Sequence, residues 1–108
     1  MENDELVQNM LLELRRGVIA IAVLSQLGKE EYGYSLLKAL SDLGMEVDQS
    51  TLYPLLRRLE TQGLLGSEWR EEGGRRKRFY RLSTDGRQIL KQLLAEWKTI
   101  NQSLNRIV

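Results

Sequence analysis

Apolar positions recur along this chain at two periods, helical over most of its length and strand-like in one stretch past the middle. Leu6, Val7, Met10, Leu11 and Leu14 keep helical spacing, and the pattern runs through the apolar residues 18–24 to Leu27. The β-branched Val18, Ile19, Ile21 and Val23 would also suit a buried strand, but only Gly17 interrupts the helical phase. One long helix is therefore predicted over 5–27, with Gly28 suited to a left-handed cap. A second helix is predicted over 31–43 from Leu36, Leu37, Leu40 and Leu43, closed by Gly44. A third, over 50–62, carries the narrow stripe Leu52, Leu55, Leu56 and Leu59 and ends at Gly63. Pro54 conflicts with that helix unless it sits in the first turn, with Ser50 or Thr51 as the cap.

The period then changes from about 3.6 to 2. Leu65, Ser67 and Trp69 alternate with polar or small residues, Glu71-Glu72-Gly73-Gly74 reads as a turn, and Arg76, Arg78, Tyr80 and Leu82 alternate on the return. Strands over 64–70 and 76–82 would form a hairpin spanning 64–82, with Trp69 packed beneath it. Ser83-Thr84-Asp85 then supplies a cap and an acidic first turn for a last helix over 84–106. The expected fold is mainly α with a two-stranded β-hairpin: a winged helix-turn-helix in a single domain over 1–108, with dimerisation helices at both ends.

The end helices carry the case for a second copy. Helix 1 is apolar on nearly every side, so it must be covered on nearly every side. In the last helix Leu90, Leu93, Trp97, Ile100, Leu104 and Ile107 are spaced 3, 4, 3, 4, 3, which is an a/d seam over about two and a half heptads. Leu6, Met10, Leu90, Leu93, Trp97, Ile100 and Leu104 are the expected homodimer interface, against the alternative that the helix packs back on its own domain. Trp97 is bulky for such a seam. Two indoles paired across a dimer axis would sandwich a flat ligand, while the plainer reading is a core tryptophan.

Charge places a partner. The formal net charge is only +1, yet residues 1–50 carry a net −5, residues 51–87 a net +4 and residues 88–108 a net +2. An anionic partner should meet the middle third. On the third helix, Ser50, Pro54, Arg57 and Thr61 lie opposite the leucine stripe, with Tyr53 and Arg58 on the flanks and no carboxylate on the outward face. Such a face suits a major groove, where Arg bridges guanine O6 and N7. Gly73, Gly74, Arg75, Arg76, Lys77 and Arg78 put four cations in a row beside two glycines, a pattern for straddling a phosphate backbone or entering a minor groove.

The chain has no Cys and no His. Disulfides, zinc fingers, thiol nucleophiles and imidazole bases are excluded, and with no paired carboxylates an enzyme is not expected, nor any metal or cofactor. The longest apolar run falls far short of the ~20 residues of a membrane span, and MENDEL is acidic where a signal peptide is basic. No membrane association and a cytoplasmic location are the expectation.

The sequence resembles the PadR-like transcriptional regulators. The resemblance rests on Tyr32-Gly33-Tyr34, on the run from Ser50 through Glu60 followed by Gly63-Leu64-Leu65, on Trp69, on the run from Gly73 through Leu82, and on Thr84 and Gly86. It spans almost the whole chain and looks like the short subfamily without a larger C-terminal domain. It implies a homodimer whose terminal helices pair and whose recognition helices meet a pseudo-palindromic operator in double-stranded DNA. It points to Ser50, Thr51, Tyr53 and Arg57, and to Arg75, Arg76 and Lys77, as DNA contacts. It further implies a repressor of detoxification, efflux or stress genes, and in some members a flat aromatic ligand at the interface beside a tryptophan placed like Trp97. The alternative is a winged helix used for protein contacts without operator binding.

Overall fold

A computed structural model describes residues 3–108. Its elements run α1 (Asp4–Gln26), β1 (Glu31–Tyr32), α2 (Gly33–Asp42), α3 (Gln49–Thr61), β2 (Leu65–Glu72), β3 (Arg75–Leu82) and α4 (Thr84–Ile107). The leucine stripe of α3 buries as its period requires, and Leu36 and Leu40 of α2 bury with it. Leu52, Leu55, Leu56 and Leu59 of α3 meet Leu36 and Leu40 of α2 and the last turn of α1, Val23 and Leu24, with Leu27 beyond it. Leu65, Tyr80 and Leu82 of the sheet close the core. Each such burial stabilises the fold by about 1.5–3 kcal/mol relative to exposure. Leu43 departs from its stripe: it follows α2 and is 69% exposed.

The sheet has three strands in the order β1-β3-β2, one more than the alternation predicts. Glu31 and Tyr32 pair with Tyr80 and Phe79, so α2 begins at Gly33 instead of 31. A strand of two residues has no room to show a period. The hairpin is also longer and its turn tighter than expected. Glu71 and Glu72 pair with Arg76 and Arg75 within the ladder, leaving Gly73-Gly74 as a two-residue turn. Both glycines have positive φ, +60° and +77°, which the right-handed twist of a short hairpin requires and side-chain-bearing residues resist.

Three local expectations are corrected. Gly28 does not take the left-handed conformation; α1 ends at Leu27, whose N–H donates to the Val23 carbonyl. The cap of α3 is Asp48, neither Ser50 nor Thr51. Its carboxylate accepts from the Thr51 N–H at 3.0 Å and from the Ser50 hydroxyl at 2.7 Å, a stronger acceptor than either hydroxyl. Pro54 consequently lies in the second turn of α3, not the first, and the helix runs straight through it. Its missing N–H leaves the Ser50 carbonyl without a helical partner. The Ser83 cap holds: its hydroxyl accepts from the Gly86 N–H at 2.9 Å and donates to the Gly63 carbonyl at 2.7 Å, tying α4 to the end of α3.

Outside this core the molecule is open. Buried residues of α1 are confined to its last turn, and Gly86 is the buried residue of α4.

Candidate nucleic-acid interface

Burial of the leucine stripe sets the rotation of α3, and rotation decides what its outer face presents. With the leucine stripe in the core, Ser50, Thr51, Pro54, Arg57, Arg58 and Thr61 are exposed and Tyr53 is half-buried. Tyr53 turns towards the start of α2. A Cβ built on Gly33 would stand 2.3 Å from Tyr53 Cε1 and 2.8 Å from its hydroxyl oxygen, so the glycine is what lets the ring lie there. Tyr53 and Arg57 then form one wall of a cleft of about 340 Å³, with Tyr32, Trp69, Lys77 and Arg78 across from them.

Cations of the middle third divide into two groups. One group is held internally. Arg78 donates to Glu60 Oε1 at 2.8 Å and to Ser67 Oγ at 2.9 Å, joining β3 to α3. Arg70 makes a two-pronged pair with Glu30, at 2.7 and 2.5 Å, and also meets Glu68, joining β2 to the segment after α1. Arg81 adds a longer contact to Glu30 at 3.9 Å, and Lys77 reaches Glu72 at 3.9 Å while lying over the Tyr32 ring. The hydrogen bonds from Arg70, with its charge, hold the Glu30 carboxyl below the usual range against the opposing effect of burial. The Ser50 hydroxyl, followed by the Thr51 N–H, does the same for Asp48. Burial pushes the Tyr80 phenol up.

The second group is unpaired. Arg57, Arg58, Arg75 and Arg76, with Arg87 on α4, enter no ion pair among the described residues. Four guanidiniums thus stay available on the outer face of α3 and at the start of β3. Sequence reasoning grouped Arg78 with them as an outward cation. Its geometry instead makes it a brace, because residue 78 shares the α3-facing side of the hairpin with Tyr80 and Leu82. Gly74 lies in the turn beside Arg75 and Arg76.

Trp69 does not pack beneath the hairpin. It is 52% exposed, with Arg76 and Arg78 guanidiniums 5.1 and 5.6 Å from its ring. β1 covers β3 only at Phe79 and Tyr80, so no third strand flanks the hairpin at this level. The signal that could have shown this was the basic register partner, Arg78, opposite it.

A second cleft, of about 440 Å³ and mostly apolar, runs between α1 and α4. Leu14, Gly17, Val18 and Ile21 face Leu93, Trp97, Ile100 and Leu104 across it. Of the expected interface residues, Leu90 and Leu93 are half-buried against the core. Leu6, Met10, Trp97, Ile100 and Leu104 are 44–60% exposed in the single chain. No helix among the described residues is long and apolar enough to cross a membrane.

A helical pair joined by a short turn, followed by a braced hairpin, defines a winged helix-turn-helix protein. Residues 21–92 match the transcriptional regulator PadR-like family, and the chain belongs to that family. Transcriptional regulator Rv3488 of Mycobacterium tuberculosis is 40% identical over 79 residues, 72% of this chain and 74% of that protein. The crystal structure of a PadR family transcriptional regulator from Eggerthella lenta superposes with a TM-score of 0.90 at 43% identity, covering 99% of this chain and 96% of its own. Bacillus subtilis PadR, solved in complex with operator DNA, superposes with a TM-score of 0.67 at 29% identity over 71% of this chain and 46% of its own.

Proposed function

We propose that this protein is a homodimeric repressor that holds double-stranded DNA at a pseudo-palindromic operator and is released by a flat aromatic molecule seated beside Trp97. The observation that carries the reading is the set of unpaired guanidiniums, Arg57, Arg58, Arg75 and Arg76, on the outer face of α3 and the adjoining wing. Ser50, Thr51, Tyr53 and Pro54 complete the α3 surface that enters the major groove, and Gly74 lets the wing approach the backbone closely. Lys77 supplies positive potential from within the wing. The operator complex of Bacillus subtilis PadR supports the same use of this fold.

Dimerisation rests on the apolar seam of α1 and α4, too large to leave in water. In the dimer the cleft at Trp97 becomes an enclosed apolar site, and Gly17 leaves it open on the α1 side, where a Cβ would meet nothing within 4 Å. The genes it controls are those of detoxification, efflux or stress responses, as in the regulators it resembles.

Selection of bound duplexes from a random pool tests the reading. The expected product is an inverted repeat, retained less well as salt rises. A pool with no enriched sequence and no salt-dependent retention would sink it and favour the protein-contact use of the fold. For the ligand, a planar cationic dye should quench tryptophan emission saturably in the wild type and not in Trp97→Ala. Equal quenching in the variant would assign the effect to Trp69.

A further inference from the structure

The recognition helix has two flanks, and the wing occupies only one. At about 100° per residue, Tyr53 and Glu60 lie on the flank facing the wing, with Arg57 between them and the centre of the outward face. Thr51, Pro54, Leu55 and Arg58 lie on the opposite flank, facing α1. There they line a cleft of about 300 Å³ whose other wall is Arg16 and Ile19 of α1. No carboxylate lines this cleft. Arg16 and Arg58 enter no ion pair among the described residues. The Thr51 N–H is taken by Asp48, while its hydroxyl holds no hydrogen bond among the described residues. Two like charges facing one cleft repel each other unless an anion sits between them.

We infer that this cleft is a seat for a phosphodiester of the DNA backbone, and that Arg16, on a helix assigned to dimerisation, is a DNA contact. The inference rests on the operator-binding reading above. A helix with its side chains is about 10–12 Å across, close to the major groove's width of about 12 Å. When α3 fills the groove, the two strands that bound it run along its two flanks. The strand on the wing side meets the wing cations, while Arg57 points between the two strands. The strand on the other side meets Arg16, Arg58 and the Thr51 hydroxyl. Phosphate contacts carry no base information, so this seat fixes register and adds affinity equally on any sequence.

Because the contact is sequence-independent, a fluorescein-labelled random duplex of about 30 base pairs suffices as the probe, with affinity followed by anisotropy from 50 to 200 mM salt. Each lost phosphate contact lowers the salt slope by about 0.9. Over that fourfold range, Arg16→Ala should therefore lose about threefold less affinity than the wild type. Arg58→Ala, entering the same seat from α3, should behave alike, and Arg16→Lys should keep the wild-type slope. Arg15→Ala, next along α1 and outside the cleft, should also leave the slope unchanged, with sedimentation confirming the same assembly state in every variant. An unchanged slope in Arg16→Ala, or an equal drop in Arg15→Ala, would overturn the seat while leaving DNA binding intact. Failure of the wild type to bind any duplex would remove both readings.

Discussion

Arg57 and Arg76 carry the same charge, yet the proposed reading gives them different work. Arg57 projects from the α3 outer face, where in the proposed complex a guanidinium would reach base edges. Arg76 stands on the wing against Trp69, its guanidinium 5.1 Å from the ring. Arg57→Ala should relax base preference at one operator position by about 1–3 kcal/mol. Arg76→Ala should weaken all sequences alike and lower the salt slope by about one. Competition assays with single-base operator variants separate the two; identical profiles would refute the division of labour. Gly33 acts at the same scale by absence. Gly33→Ala puts a methyl where the Tyr53 ring lies and must push that ring out of the cleft. Operator affinity should fall in Gly33→Ala but not fall further when Tyr53→Ala is added. Additive losses in the double variant would show that Gly33 matters for another reason.

At the scale of elements, the wing is held at two points, Glu60–Arg78 to α3 and Glu30–Arg70 to the segment after α1. The second brace has a pH signature. Glu30 has a lower pKa in the folded chain than in the unfolded one, so its contribution is fully present above the ordinary glutamate value of about 4.3. It is lost as pH falls through the lower, folded value. Trp69 emission in a Trp97→Phe background should stay flat through neutrality and change only below about pH 4. Arg70→Met should abolish that step, and a step that survives it would point to Asp48 instead.

These braces also mark where sequence reading ran out. Helices α1, α3 and α4 were legible to within a residue at each end, because each carries an apolar stripe at one steady period. The outward face of α3 followed from the same rotation. Strand β1 was not legible, since Glu31-Tyr32 is strand only through its pairing with Phe79 and Tyr80. Nor could a row of four cations reveal which would be spent internally. Arg78 and Arg70 differ from Arg75 and Arg76 only in having Glu60 and Glu30 within reach across the fold, and those pairs are 18 and 40 residues apart in sequence.

The whole molecule is extended for its size. Its radius of gyration is 15.8 Å and its longest extent 50 Å, against about 13 Å for the radius of a compact domain of this length. The excess comes from α1 and α4, which project from the core with their apolar faces uncovered. Ile100→Glu, in the exposed part of the α4 seam, should yield a folded monomer by sedimentation equilibrium. Its helical circular dichroism should be retained and its affinity for an inverted repeat should fall steeply towards that for a single half-site. A dimer that persists in this variant would place the interface elsewhere.

The double bracing of the wing has a consequence for how such a protein could be controlled. With α3, the hairpin and the end of α1 pinned together, each head of the proposed dimer is a fixed jaw, and the pair would work like callipers. What would change in that dimer is the gap between the jaws, set where α1 and α4 of the two copies are proposed to meet. An operator would then be judged by the spacing of its halves as strictly as by their letters. Inserting five base pairs between the halves, about half a helical turn, should turn one half-site away from its jaw.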